Sequence, residues 1–383
     1  RLEILAPRQG GTGTVVSLAS TDWIYLMQSA QGERVTVTVR GLSSATPTEV
    51  GTAPPLSFRV GDEDVLGGLY YWAAASDESH PEGFYRQDFA KTDELPERFF
   101  TIDRAGRCVA CHAISRDGTR LAYTMDGGDG PGGILDVATR TPLTPTDDSL
   151  HWNLATFDPQ RKWVLTAFQN VLTLRDGSTG AAISTLPGGG TQPDWSPLGD
   201  LIVLVQYPWP IHDWAFVEGQ LILQRVDPNT GTFLERTALP NVTGFFPSFS
   251  PDGQWILFAK YVADEAGPVE LRAIRTDGSS SVVLGQAVDP SGSCSIPRWA
   301  PFKQTVGAET ETRESLFWVT FSSTRPYGIG LNEGRPQLWM APFFPERALA
   351  GHESSLPAFW LPFQYLQTGN HIAQWTERIV VLE

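Results

Sequence analysis

The sequence predicts an all-β fold. Three observations carry that expectation. Short apolar or alternating runs recur between Gly, Pro, Asp and Asn, as at Trp163–Phe168, Leu201–Gln206, Trp255–Tyr261 and Leu316–Phe321. No stretch carries a strong helical period. Thirteen Trp and twenty Phe in 383 residues suit packed sheet faces, and 37 Gly with 29 Pro supply many turns.

The runs belong to a repeat. An aromatic or apolar residue precedes a small residue and a turn at Ala113-Ile114-Ser115-Arg116-Asp117-Gly118, at Thr156-Phe157-Asp158-Pro159 and at Pro193-Asp194-Trp195-Ser196-Pro197. The same pattern returns at Pro247-Ser248-Phe249-Ser250-Pro251-Asp252-Gly253, at Pro297-Arg298-Trp299-Ala300-Pro301 and, degenerate, at Ala373-Gln374-Trp375-Thr376. Each copy reads as strand, tight turn, strand, with Pro presetting the turn and Gly tolerating positive φ. Spacings of about 40 to 75 residues match four-stranded propeller blades. Six copies predict six blades.

These copies resemble the TolB-like six-bladed β-propellers, whose blades open with P-x-W-S-P-D-G, from about Leu66 to the C-terminus. The chain is closer still to a secreted bacterial subgroup of that family. Its first blade reads C-x-x-C-H-A-x-S-R-D-G, matched by Cys108–Gly118. Its tail pattern is matched by Ala358–Gln364 and Asn370–Trp375.

Closure follows from strand counting. The sixth copy leaves room for two strands, around His371–Trp375 and Arg378–Leu382. Gly68–Ala74 and Gly83–Ala90 precede the first copy and are expected to complete the last blade, leaving only short protected edges. Residues 1–62 lie outside the ring. Leu2–Leu5, Trp23–Met27, Arg34–Arg40 and Leu56–Val60 read as strands of a small immunoglobulin- or fibronectin-like sandwich, complete or incomplete. The Gly/Pro-rich Gly51–Pro55 precedes its last strand. The propeller takes residues 63–383.

The charge is 28 − 43 = −15, which repels phosphate backbones and argues against nucleic-acid binding. No apolar run approaches the roughly 20 residues that cross a bilayer as a helix. RLEILAPRQG lacks the features of a signal peptide, although a trimmed secreted chain would begin this way.

Function is concentrated in Cys108-Val109-Ala110-Cys111-His112, a C-x-x-C-H sequence in a chain with only three Cys and six His. This is the attachment pattern of c-type haem. On this pattern Cys108 and Cys111 are expected to form thioethers to the two vinyl groups, whose separation the two-residue gap matches, and His112 to supply the proximal imidazole. Three other readings compete: a thioredoxin-like pair, which needs an α/β context; a zinc site, which leaves the adjacent His unexplained; and a disulfide or inert thiol pair. Ordinary cytochromes c carry the motif on a helix, whereas here it leads into a blade's innermost strand.

The repeat register places Ala110, Thr191, Phe245, Ser295 and His371 at equivalent positions on one rim. His371 is therefore the first choice for a distal iron ligand. Met125, ending the strand paired with the motif strand, is the alternative, and His151 is third. Asp126 and Asp129, in the glycine-rich run Asp126–Gly133, form a weak Ca²⁺ candidate without the spacing of a calcium loop. Cys294 reads as a buried free thiol. Asp62, Glu63 and Asp64 form an exposed charge run. No G-x-S-x-G, H-E-x-x-H, Rossmann or P-loop pattern occurs, so the case for an enzyme is thin.

The expectation is an exported c-type cytochrome, periplasmic or at the cell surface, passing single electrons to other redox proteins of the cell envelope. Its competitor is a TolB-like interaction scaffold with zinc or nothing at the Cys/His motif.

Overall fold

The computed structural model describes residues 20–380 apart from 44, 62, 75–78, 92–93, 146, 208–211, 264–266, 290–292, 308–312 and 327–333. The all-β expectation holds: three short helices stand against strands throughout the described chain. The chain divides into two compact units, Arg1–Asp64 with Gln304–Ser315, and Val65–Lys303 with Leu316–Glu383.

In the smaller unit the described residues form one helix, two two-stranded ribbons and the ends of the strands Cys294–Val306 and Glu314–Ser323. The helix, Ser20–Ser29, replaces the strand expected at Trp23–Met27. Trp23, Leu26 and Met27 sit at helical spacing as well as in an apolar run, and Asp22 in the first turn favours the positive end of a helix. Arg34–Arg40, expected as one strand, is divided. Arg34–Val37 pairs with Leu56–Arg59, and Arg40–Ser43 pairs with Thr46–Thr52. Leu2–Leu5 and Asp62 lie outside the described residues. Glu63 faces Arg313 at 3.8 Å, and the carbonyl of Asp64 accepts a hydrogen bond from Gln304 Nε2 at 2.6 Å.

The larger unit is a succession of antiparallel meanders. Val109–Ile114, Arg120–Met125, Gly132–Asp136 and Thr141–Pro142 form the first sheet. Leu154–Phe157 through Ala182–Thr185 form the second. A seven-stranded sheet runs from Thr191–Trp195 to Ser281–Val283. Its long strand Phe233–Phe249 pairs with Gly219–Val226 through its first part and with Trp255–Tyr261 through its last. Cys294–Val306 to Phe359–Trp360 make another four-stranded sheet.

In the last sheet the C-terminal strand Asn370–Thr376 pairs with Gly68–Ala73, which continues to Gly83–Asp88 and Glu97–Thr101. That composition corrects the expected one. Glu97–Thr101 is the additional strand, and Arg378–Val380 form none. Arg378 N–H instead turns back onto Thr376 Oγ1, and the Val380 carbonyl accepts Arg86 Nη1 at 3.0 Å.

The repeat has a physical basis in its turns. The backbone N–H of Arg120 donates to Ser115 Oγ at 2.9 Å, that of Trp163 to Asp158 Oδ1 at 2.6 Å, and that of Trp255 to Ser250 Oγ at 2.9 Å. In these three copies the small polar residue satisfies a donor that opens the next strand. The turn residues three places on from Ser115, Asp158, Ser196 and Ser250, namely Gly118, Arg161, Gly199 and Gly253, take left-handed φ values of 75°, 61°, 83° and 71°.

A second recurring device positions the site. The strands Val109–Ile114, Thr191–Trp195, Phe233–Phe249 and Asn370–Thr376 each slip register against their neighbour, between Val109 and His112, Thr191 and Asp194, Phe245 and Ser248, and His371 and Gln374. Gln192, Phe246, Ile296 and Ile372 occupy equivalent places and take φ near 50°, at 50°, 50°, 49° and 54°. Non-glycine residues, and β-branched Ile above all, adopt that region only when their surroundings enforce it. The bulges turn these residues toward one shared cavity.

Candidate functional site

The cavity has a volume of about 320 Å³. Cys111, Leu154, Gln192, Phe246, Ile296 and Ile372 line it, one from each inner strand at the same repeat position. Cys111 occupies the motif sheet's copy of that position, where the register slips without a left-handed φ. His112, His371, Trp72 and Arg298 complete the wall, with Trp214 and Phe216, each 42% exposed, also lining it.

The motif strand is pinned by two contacts. Trp72 donates its indole N–H to the Val109 carbonyl at 2.6 Å. The His112 ring packs on Phe84, centroids 4.5 Å apart. Both nitrogens of His112 are buried and have no hydrogen-bond partner among the described residues. Burial pushes its pKa down to about 4; hydrogen bonding toward the Tyr70 and Ala110 backbone, too poorly aligned to satisfy either nitrogen, opposes this, and the Arg298 charge adds to it. A buried imidazole with both nitrogens unsatisfied is costly, on the order of 1–3 kcal/mol per lost partner, and an acceptor for its lone pair would offset that cost.

Cys108 and Cys111 are free thiols. Burial raises Cys108 to about 11, with Glu82 adding to the shift. Burial raises Cys111 to about 12. Such thiols are protonated at neutral pH, unlike the low-pKa thiolate of a redox-exchange pair. Among the described residues no three His, Cys, Asp or Glu side chains converge as a metal-ion cage. A tetrahedral zinc site needs such a cage. A covalent haem asks of the protein two thiols and an imidazole with a free nitrogen; Cys111 and His112 line the cavity, whereas Cys108 lies outside its lining.

His371 joins His112 on the cavity wall. It stands opposite Trp72 in the strand register, ring centroids 5.7 Å apart, and burial lowers its pKa to about 4. Met125 is placed differently. It pairs with Val109 but packs among Tyr70, Phe99 and Tyr123 in the core between sheets, away from the cavity lining. His151 bridges Pro131 and packs on Phe168 on the exposed side.

Asp126 and Asp129 are not brought together. Asp126 pairs with Arg107, whereas Asp129 faces His212 Nδ1 at 3.1 Å and Asn153 Nδ2 at 3.1 Å. Cys294 is buried in the core, 3.9 Å from Ser323 Oγ, with its pKa raised by burial to about 11.

The sequence reading overlooked Trp72 and Arg298. Arg298 had a signal: it occupies the repeat position that holds Asp194 in the third copy. The two acquire opposite shifts from burial. Asp194 rises to about 6, and Arg298 is lowered despite the Asp194 charge. Both line a smaller void of about 120 Å³, and Arg298 lines the large cavity as well.

Solved structures similar to this chain include a putative TolB from Agrobacterium tumefaciens, at 13% identity over 81% of this chain and 99% of that one, TM-score 0.40. TolB from Acinetobacter baumannii matches at 10% identity over 94% and 86%, TM-score 0.37. A chain of a nidogen/laminin complex matches at 10% identity over 82% and 100%, TM-score 0.48. No family model and no curated protein matches the chain. The chain's own residues therefore carry the functional reading.

Proposed function

We propose that this chain is a TolB-like, six-bladed β-propeller that carries one haem c and transfers single electrons outside the cytoplasm. The carrying observation is His112, a buried imidazole whose two nitrogens lack partners, directly after the free thiols of Cys108 and Cys111.

Six blades are supported by the four-stranded sheets and by the division of the seven-stranded sheet at Phe233–Phe249. Ring closure is supported by the pairing of Asn370–Thr376 with Gly68–Ala73. In this reading Cys108 and Cys111 anchor the group, which suits a protein working where lost haem would not be recovered. His112 is the proximal ligand. His371, on the same cavity wall, is the distal ligand. Trp72 holds the motif backbone in place, and the apolar wall excludes water. The bound haem supplies one-electron chemistry, with a potential set by its axial ligands and burial.

Export follows from the way c-type haem is attached, and the electron partners are other redox proteins of the cell envelope. No helix among the described residues is long and apolar enough to cross a membrane. The half-exposed Trp214 and Phe216 at the cavity favour a second reading, an interaction scaffold without the cofactor.

A pyridine haemochrome spectrum of the chain exported from a haem-attaching host separates the two. The cytochrome reading expects the c-type spectrum at one haem per chain, and a colourless protein overturns it.

A further inference from the structure

Arg298 is a partly buried cation on the wall of the large cavity, with Asp194 as the carboxylate whose charge acts on it. It lies on the strand Cys294–Val306, two residues past the strained Ile296, and lines the same cavity as His112 and His371. Its Nη1 donates only to the backbone carbonyls of Pro297, at 3.1 Å, and Pro247, at 3.4 Å. Its Nε is buried with no hydrogen bond. Among the described residues it forms no ion pair. Asp194, whose field acts on it, instead accepts the backbone N–H of Phe249 at 2.7 Å.

A partly buried guanidinium without an ion pair gains from a bound anion, and its planar fork matches a carboxylate bidentately. The walls around it, Trp72, Leu154, Phe246 and Ile296, are apolar. The ligand that satisfies both features has a flat apolar body and an ionised carboxylate arm.

We propose that Arg298 is the carboxylate anchor of this cavity and that it takes a propionate arm of the porphyrin. The proposal rests on the haem reading above. No bond is made or broken: the carboxylate supplies the direct ion pair that Asp194, engaged with the Phe249 N–H, does not make, and orients the ring's polar edge toward Arg298. The residue is a binding residue for the cofactor's periphery and does not touch the iron.

The test uses the full chain made in a cytoplasm without haem-attachment machinery. It is titrated with metal-free protoporphyrin IX and with its dimethyl ester, followed by porphyrin fluorescence. The wild type is expected to prefer the free acid by about tenfold or more, corresponding to about 1.4 kcal/mol. R298Q should bring the two affinities within about twofold, and R298K should fall between, keeping charge without the fork.

Equal binding of acid and ester by the wild type, binding of neither, or an equal loss for both in R298Q overturns the proposal. Should R298Q fail to fold in a thermal melt, the wild-type ratio and R298K decide. The haem reading is scored separately, by the mass of the exported chain. Acid preference without covalent haem removes that reading and keeps the anchor, and covalent haem without acid preference does the reverse.

Discussion

Trp72 donates its indole N–H to the Val109 carbonyl across 2.6 Å, and the same ring stands opposite His371 in the neighbouring strand. One side chain thus ties the backbone between the two cysteines to the strand bearing the distal candidate. Trp72→Phe keeps the ring and removes the donor, leaving the Val109 carbonyl short of a partner. We expect a loss of about 1–2 kcal/mol in urea unfolding. Unchanged stability would mean that the contact does not hold the motif.

His371 and Met125 separate as ligand candidates by position. His371→Ala should convert bound haem toward high spin, read from its absorption and electron paramagnetic resonance spectra. Met125→Ala should leave the spin state alone and cost about 2–5 kcal/mol of stability, because Met125 is packed in the core. A spin change in Met125→Ala with none in His371→Ala reverses the assignment.

Asp194 gives a pH prediction with a definite sign. Its folded pKa, about 6, lies above the ordinary 3.8. Between those values the folded chain holds more protons than the unfolded one. The contribution is therefore fully present below 3.8 and is lost as pH rises through 6. Asp194→Asn retains an oxygen for the Phe249 N–H and removes the buried charge. The variant should be more stable than wild type at pH 7.5, by ~2 kcal/mol, with the difference vanishing near pH 4. Urea unfolding at the two pH values reads it. A variant less stable at pH 7.5 would show that the Arg298 attraction outweighs burial.

Much of this architecture was legible because its signals are local. Trp163–Phe168, Leu201–Gln206 and Trp255–Tyr261 are bounded by turn residues and lie where the pattern put them. The Ser and Asp side chains of the repeat cap their own turns within five residues. The equivalence of Ala110 with His371 was also readable, and both line one cavity.

What was not legible depends on distant partners. The left-handed φ at Phe246, Ile296 and Ile372 is imposed by packing against intrinsic preference. Glu97–Thr101 earns its place as a strand only through Gly83–Asp88. The Ser20–Ser29 helix shares its apolar residues with a plausible strand. Arg298 looked like one more turn residue until the fold turned it inward.

The cysteines carry the most direct genetic check. Replacing Cys108 and Cys111 together with Ser should release all haem to acid–acetone extraction, and either single replacement should retain one thioether. Covalent haem surviving in the double variant would place the attachment elsewhere.

The central claim is decided by the intact mass of the denatured, exported chain. The account predicts the mass of the polypeptide plus one haem, with Cys294 the sole cysteine left to alkylate. An unmodified mass, with Cys108 and Cys111 both open to alkylation or joined to each other, would contradict it.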